Sequence, residues 1–153
     1  MTHALYLDRT SDTTQGVLTL QRVASDKVIK VFERLPVASG QNGYDDPNWE
    51  NRKSPTPFGS YWLRTKSVPL QMTPRGTPFF PIGSDRKNIR VIKGPGGKIR
   101  TEVGLHLENE FPGTWGCTAL LHDTEQRARE AWALMHYLES LWPNEQYIPY
   151  IVI

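Results

Sequence analysis

The chain has 153 residues, with 18 Lys and Arg against 16 Asp and Glu, for a net charge of +2. That length predicts one domain, 1–153, with room for a real core, and that charge is too small to argue for a nucleic-acid partner. The single cysteine excludes an internal disulfide framework, and no stretch approaches the ~20 apolar residues of a membrane-spanning helix.

The first nine residues, Met1–Arg9, lack a basic start followed by an apolar run and do not read as a secretory signal. Val17–Val23 and Val28–Glu33 are rich in β-branched and apolar types, and Ala24–Lys27 between them reads as the turn of a hairpin. Leu35–Ser39 continues the sheet. Residues 40–57 are dense in Gly, Asn, Asp and Pro and read as a long loop, either functional or a disordered insertion. Ser60–Arg64 reads as a strand, and Pro69, Pro74, Pro78 and Pro81 predict irregular or edge-like structure after it. Asn88–Lys93 is a further strand. Gly94-Pro95-Gly96-Gly97 is a turn and not a nucleotide loop, because no Gly-Lys-Ser/Thr ending follows. Ile99–Leu107 and Ala119–Leu121 read as strands. Then comes one helix, N-capped by Asp123 or Thr124, with Glu125 in its first turn. Ala128, Ala131, Trp132, Met135, Leu138 and Trp142 give it an apolar core-facing side, and Pro143 stops it. Many strands and one late helix predict a mainly β domain with a helix packed on it.

The chemistry centres on Cys117, in Gly113-Thr114-Trp115-Gly116-Cys117-Thr118, eleven positions after His106. A cysteine on a Gly-bearing turn with a histidine upstream suits thiol-based acyl transfer: imidazole takes the proton, thiolate attacks, and turn N–H groups face the oxyanion. A buried cysteine acting as a small hydrophobe is the alternative. The catalytic role predicts an accessible Cys117 of lowered pKa, within hydrogen-bond reach of His106. His106 is preferred as base because its strand leads into the cysteine loop. His136 lies on the helix, His122 at its entry, and His3 near the terminus, where disorder is common. One Cys and four scattered His lack zinc-site spacing, so no metal or other cofactor is expected. No Gly-x-Ser-x-Gly elbow supports a serine hydrolase. Asp45-Asp46 and Glu108-Asn109-Glu110 offer paired carboxylates of glycosidase type, with solvated loop charge as the alternative.

Thr114-Trp115-Gly116-Cys117 resembles the Ser/Thr-x-Gly-Cys signature of the L,D-transpeptidase (YkuD-like) catalytic domain, and His106 matches that family's upstream histidine. Thr56-Pro57-Phe58-Gly59-Ser60-Tyr61 is similar to its Thr-Pro-x-Gly-x-Tyr/Phe segment, and Val37-Ala38-Ser39-Gly40 to its strand and Ser/Thr-Gly turn. A helix over Glu125–Leu141 and a closing strand over Tyr150–Ile153 follow in the family's order. The resemblance runs from about residue 16 to the C-terminus. The chain departs from the pattern at Trp115, where the family often has His, and at Thr118-Ala119, where it often has Ile-Arg or Val-Asn. The His-to-Cys spacing is shorter than in most members and is similar to the compact bacterial-effector branch.

The resemblance implies an L,D-transpeptidase-like β-sandwich or barrel with one long C-terminal helix packed against it. It implies Cys-dependent acyl transfer on peptidoglycan stem peptides, as L,D-carboxypeptidase, L,D-transpeptidase or exchange enzyme. Cys117 is then the nucleophile and His106 the base. Gly116, Cys117 and Thr118 form the oxyanion hole, and Thr114, Trp115, Tyr61 and Phe111 line the substrate cleft. The rival readings are a non-catalytic peptidoglycan-binding module and a structural component of the same fold. The expected partner is the peptide substrate, with no nucleic acid and no membrane span. The expected site of action is the periplasm or cell wall if a secretion or phage route delivers the chain, otherwise the cytoplasm.

Overall fold

The computed structural model describes residues 2–9, 15–40, 49, 55–69, 77–108 and 117–153. Along the first strand, β1 (Thr2–Asp8), His3, Leu5 and Leu7 are buried while the residues between them are not. This period of two marks a strand with one face on a core. β2 (Gln15–Ala24) and β3 (Lys27–Ser39) form the expected hairpin. Ser25 and Asp26 both have positive φ, 51° and 62°, as a two-residue turn matched to strand twist requires. Leu35–Ser39 is not a separate strand. A bulge around Arg34, whose φ is 52°, lets β3 continue through it.

The remaining elements are β4 (Gly59–Arg64), β5 (Val68–Pro69), β6 (Pro78–Gly83), β7 (Val91–Lys93), β8 (Ile99–Thr101), β9 (Gly104–Leu107), β10 (Thr118–Leu120), α1 (Glu125–Ser140) and β11 (Tyr147–Val152). Eight strands close into a barrel in the order β4-β11-β1-β2-β3-β10-β9-β6, with β6 pairing back onto β4. The β1–β11 and β9–β10 pairs are parallel and the others antiparallel. β5 adds to the first half of β6, and β7 and β8 form a separate two-stranded ribbon. Inward side chains including Leu5, Leu20, Leu63, Phe80, Leu105, Leu120 and Tyr150 fill the barrel, each at most 1% exposed. Among the described residues no helix is long and apolar enough to cross a membrane.

Several expectations change. The N-terminal segment is an interior strand of the barrel, and His3 is buried. Its Nδ1 lies 2.9 Å from Glu145 Oε1 and its Nε2 lies 2.8 Å from the Tyr137 hydroxyl. Pro78 and Pro81 lie within β6 and do not break it. The Ile82 N–H faces β9, bonding Val103 O at 3.0 Å, so the Pro81 nitrogen faces the opposite side. There β5 has ended at Val68–Phe79 and β4 begins only at Ile82, so no ladder bond is lost. Ile99–Leu107 is two strands, parted at Glu102 with φ 57°. The closing strand begins at Tyr147, three residues before the expected start.

The helix is N-capped by Thr124, whose Oγ1 accepts from Arg127 N at 3.1 Å. Its buried residues are Ala131, Leu134, Met135 and Leu138. Trp132, expected in the core, is 38% exposed and packs against His136 instead. Leu134→Ala should therefore cost about 2–5 kcal/mol in urea unfolding, while Trp132→Ala should cost under about 1 kcal/mol. Equal losses would place the helix face wrongly.

Candidate functional site

β9 and β10 run parallel, with Ala119 beside His106 and Thr118 beside Leu105. Paired residues share a face, and residues two apart share it too. Leu105 and Thr118 therefore point into the barrel, where the Thr118 hydroxyl meets the hydroxyl of Tyr150. His106, Ala119 and Cys117 point out. Two residues of offset between neighbouring strands puts the Cα atoms of His106 and Cys117 roughly 8 Å apart. The two side chains thus stand on one face, but no hydrogen bond joins them.

The His106 ring has its own anchors. Its Nδ1 lies 2.5 Å from the carbonyl oxygen of Leu107, which can only accept. Nδ1 therefore carries the proton, and Nε2 is left as the basic nitrogen of a neutral ring. The Phe79 ring stacks beside His106, with centroids 6.1 Å apart and planes 30° apart. It also covers Gly104, where a Cβ would collide with that ring and with the Phe80 carbonyl. Those two contacts, with the Phe79 ring and the Phe80 carbonyl, are what require glycine there.

Cys117 is 7% exposed, which overturns the expectation of an accessible thiol. Its Sγ donates to the Glu102 carbonyl at 3.5 Å. Burial pushes the thiol up to about 11, against the smaller downward effects of the Gly104 backbone and the Arg100 guanidinium. The expectation of a lowered pKa is also overturned. Burial holds His106 below the ordinary imidazole value, partly offset by the Leu107 carbonyl.

Three of the sequence motifs meet behind the thiol. Ser39 Oγ donates to the Cys117 carbonyl at 2.9 Å and accepts from Thr56 N at 3.0 Å. The Thr56 carbonyl accepts from Arg9, and the Pro55 carbonyl accepts from Arg100 at 3.0 Å. Tyr61 belongs to the core and not to a cleft: it is 5% exposed, and its hydroxyl donates to Pro57 O at 2.7 Å. Burial raises its pKa to about 12, against a lowering by Arg9. Gly59 has φ 152°, a conformation that favours glycine, and it lets the chain turn over that hydroxyl.

The Thr118 N–H lies in the plane of the sheet between β3 and β9, so it does not face the outer side where His106 and Cys117 stand. Thr114, Trp115, Gly116 and Phe111 lie outside the described residues, as do Asp45, Asp46, Asn109 and Glu110. His122 is bound through Nε2 to the Glu108 carbonyl at 2.7 Å, and His136 packs on Trp132, so neither competes with His106. Among the described residues no group of three His, Cys, Asp or Glu side chains is placed to hold a metal. Sequence reasoning missed Arg9 and Arg100. Both are at most 5% exposed and anchor the segment behind Cys117. A lone arginine, whether just past β1 as Arg9 is or in the middle of β8 as Arg100 is, gives no signal of burial.

No protein-family model, no curated protein and no solved structure matches this chain.

Two outcomes test this geometry. Alkylation of Cys117 by iodoacetamide should be slower at pH 7 than that of a free thiol and should climb about tenfold per pH unit toward pH 11. A rate above the free thiol at pH 7 would show that the resting group is not buried. His106 has a folded pKa below its unfolded one, so the unfolded chain binds the proton first as pH falls. Its contribution to stability is complete above about pH 6.5 and declines below it. The urea stability of wild type relative to His106→Gln should shrink from pH 7.5 to 5.5, and a constant difference would contradict the burial of a neutral ring.

Proposed function

We propose that this chain is a cysteine-dependent acyl-transfer enzyme acting on peptidoglycan stem peptides, with Cys117 as nucleophile and His106 as general base. The observation that carries the reading is the shared outer face of Cys117 and His106 on adjacent parallel strands, with Nδ1 of His106 held by a carbonyl and Nε2 left basic. The convergence of Ser39, Thr56 and Cys117 on one another supports it, because these residues lie in separate segments of the resemblance to L,D-transpeptidases.

In this reading Cys117 Sγ attacks the amide carbonyl between a diamino acid and a terminal D-alanine. The thiol proton passes to His106 Nε2 and then to the leaving amine. In this reading the Cys117 N–H donates to the oxyanion. Water, or an amine, then takes the acyl group from the thioester. Burial pushes the thiol up to about 11 and holds the imidazole below its ordinary value, so both shifts oppose full proton transfer in the resting site. The proton therefore leaves during attack and not before it. The Phe79 ring over Gly104 must also yield to admit a substrate.

The buried, high-pKa thiol favours a second reading, a peptidoglycan-binding module without turnover. Incubation of disaccharide tetrapeptide with the protein, followed by mass spectrometry, separates the two. Release of D-alanine should leave tripeptide. Cys117→Ala should abolish it, and His106→Ala should lower kcat/KM by about 10²–10⁴-fold. Ala119 offers no polar anchor for a second peptide, so tripeptide should exceed cross-linked dimer. Unchanged tetrapeptide would leave the binding module, and a predominance of dimers or exchange products would overturn the preference for water.

A further inference from the structure

Arg90 and Glu102 stand beside the candidate nucleophile and take no part in the proposed proton transfer. The β7–β8 ribbon pairs Val91 with Thr101, and Glu102 N donates to Arg90 O at 3.1 Å, so these two residues extend its ladder by one step. Glu102 then breaks the strand with φ 57°. Its carbonyl accepts from Cys117 Sγ at 3.5 Å, which sets its backbone against the thiol. Its carboxylate is near enough to add to the rise of the thiol, whose main cause is burial. Left-handed backbone suits glycine or asparagine, so the turn by itself does not account for a glutamate here.

The two side chains are exposed and loosely joined, Arg90 at 48% and Glu102 at 66%. Arg90 Nη1 lies 3.7 Å from Glu102 Oε2, well beyond the ~2.8 Å of a charge-assisted hydrogen bond. Neither side chain has a further partner among the described residues. Guanidinium donors and a carboxylate oxygen are thus left for a ligand, with opposite charges side by side. A ligand of one sign would meet a like charge from one member of the pair. A ligand bearing both signs satisfies both members, and an amino-acid end, with ammonium and carboxylate on one carbon, has that pattern.

We propose that Arg90 and Glu102 are specificity residues that read the side-chain end of the acyl donor, Glu102 accepting from its ammonium and Arg90 donating to its carboxylate. This rests on the acyl-transfer reading for the donor, the diamino acid whose carbonyl Cys117 attacks. The reach agrees. The side-chain end of such a residue stands on the order of 6 Å from that carbonyl, and the Glu102 carboxylate leaves the chain at the residue whose own carbonyl lies 3.5 Å from Sγ. Lysine in the same place offers the ammonium alone and makes half of the contacts.

Binding is read by calorimetry on the full chain as Cys117→Ser, which suppresses turnover and keeps a donor for the Glu102 carbonyl. The ligands are disaccharide tetrapeptides with diaminopimelate, with its side-chain amine acetylated, and with lysine in its place. The parent should bind the diaminopimelate form tightest and each of the others about fivefold more weakly, the upper range for exposed charge pairs. Adding Glu102→Gln should erase the preference over the acetylated form and keep the preference over lysine, and Arg90→Gln should do the reverse. If either change lowers the urea midpoint, the three ligands on the parent alone decide the claim. Equal affinity for all three, no binding of any, or variants that weaken all three alike would each overturn the proposal. In the active chain KM should follow the same order. Release of D-alanine indifferent to these charges would remove the pair and leave the acyl-transfer reading. Discrimination among the three without release of D-alanine would remove that reading and leave the pair.

Discussion

The parallel pairing of β9 with β10 is the constraint on which the candidate site depends. Closing the sheet into a barrel gives every strand an inside and an outside. In β9 the inside takes Leu105 and Leu107, and in β10 it takes Thr118 and Leu120, all buried. With those fixed, the alternation leaves His106, Cys117 and Ala119 no choice but the outer face. A slip of one residue would send the imidazole into the core and Leu105 outward, exchanging a satisfied apolar contact for a buried polar ring. The same hydrophobic pattern that holds the barrel thus sets the relative placement of Cys117 and His106.

Backbone chemistry fixes the second dimension. The Cys117 carbonyl is tied to Ser39 Oγ, Ser39 to Thr56 N, and the Pro55 and Thr56 carbonyls to Arg100 and Arg9. Each of these groups is buried, and each would cost about 1–3 kcal/mol if left unmade. Burial lowers Arg9 to about 10, so its guanidinium remains charged at neutral pH. The segment carrying Thr56-Pro57 is therefore tied by hydrogen bonds to Arg9, to Arg100 and, through Ser39, to Cys117. Arg9 N also bonds the Ile153 carbonyl at 2.9 Å, next to the strand that closes the barrel on β1.

What the sequence disclosed follows from how local each signal is. The β2–β3 hairpin, β4 and the helix were legible because their periodicity and turn residues act within a few positions. β1 was not, since Thr2–Asp8 gains its order from partners as distant as Val17–Val23 and Tyr150–Val152. The prolines of β6 misled for a related reason: a missing N–H matters only if a neighbour wants it, and the neighbour is set by topology. Leu134 was passed over while Trp132 was counted, because a helix stripe one residue too wide looks equally periodic. At the site, residue identities were legible and residue environments were not. Cys117 and His106 could be named from spacing, but the depth of burial that shifts both arises from Phe79 and the strands around them.

That burial has a mechanistic meaning. A preformed thiolate–imidazolium pair would place two charges in an apolar setting, where desolvation disfavours both. The environment instead keeps both groups neutral, with the proton on sulfur and on Nδ1. A neutral site gains nothing from binding a random amide. It gains only when a carbonyl is held close enough that negative charge moves onto an oxygen facing N–H donors as the proton moves to Nε2. The proposed chemistry would then be gated by positioning and not by thiol acidity, and random alkylation of a lone cysteine is suppressed by the same burial. On the proposed reading, displacement of Phe79 from Gly104 would link substrate entry to reactivity, since the ring lies over Gly104 and stacks beside His106.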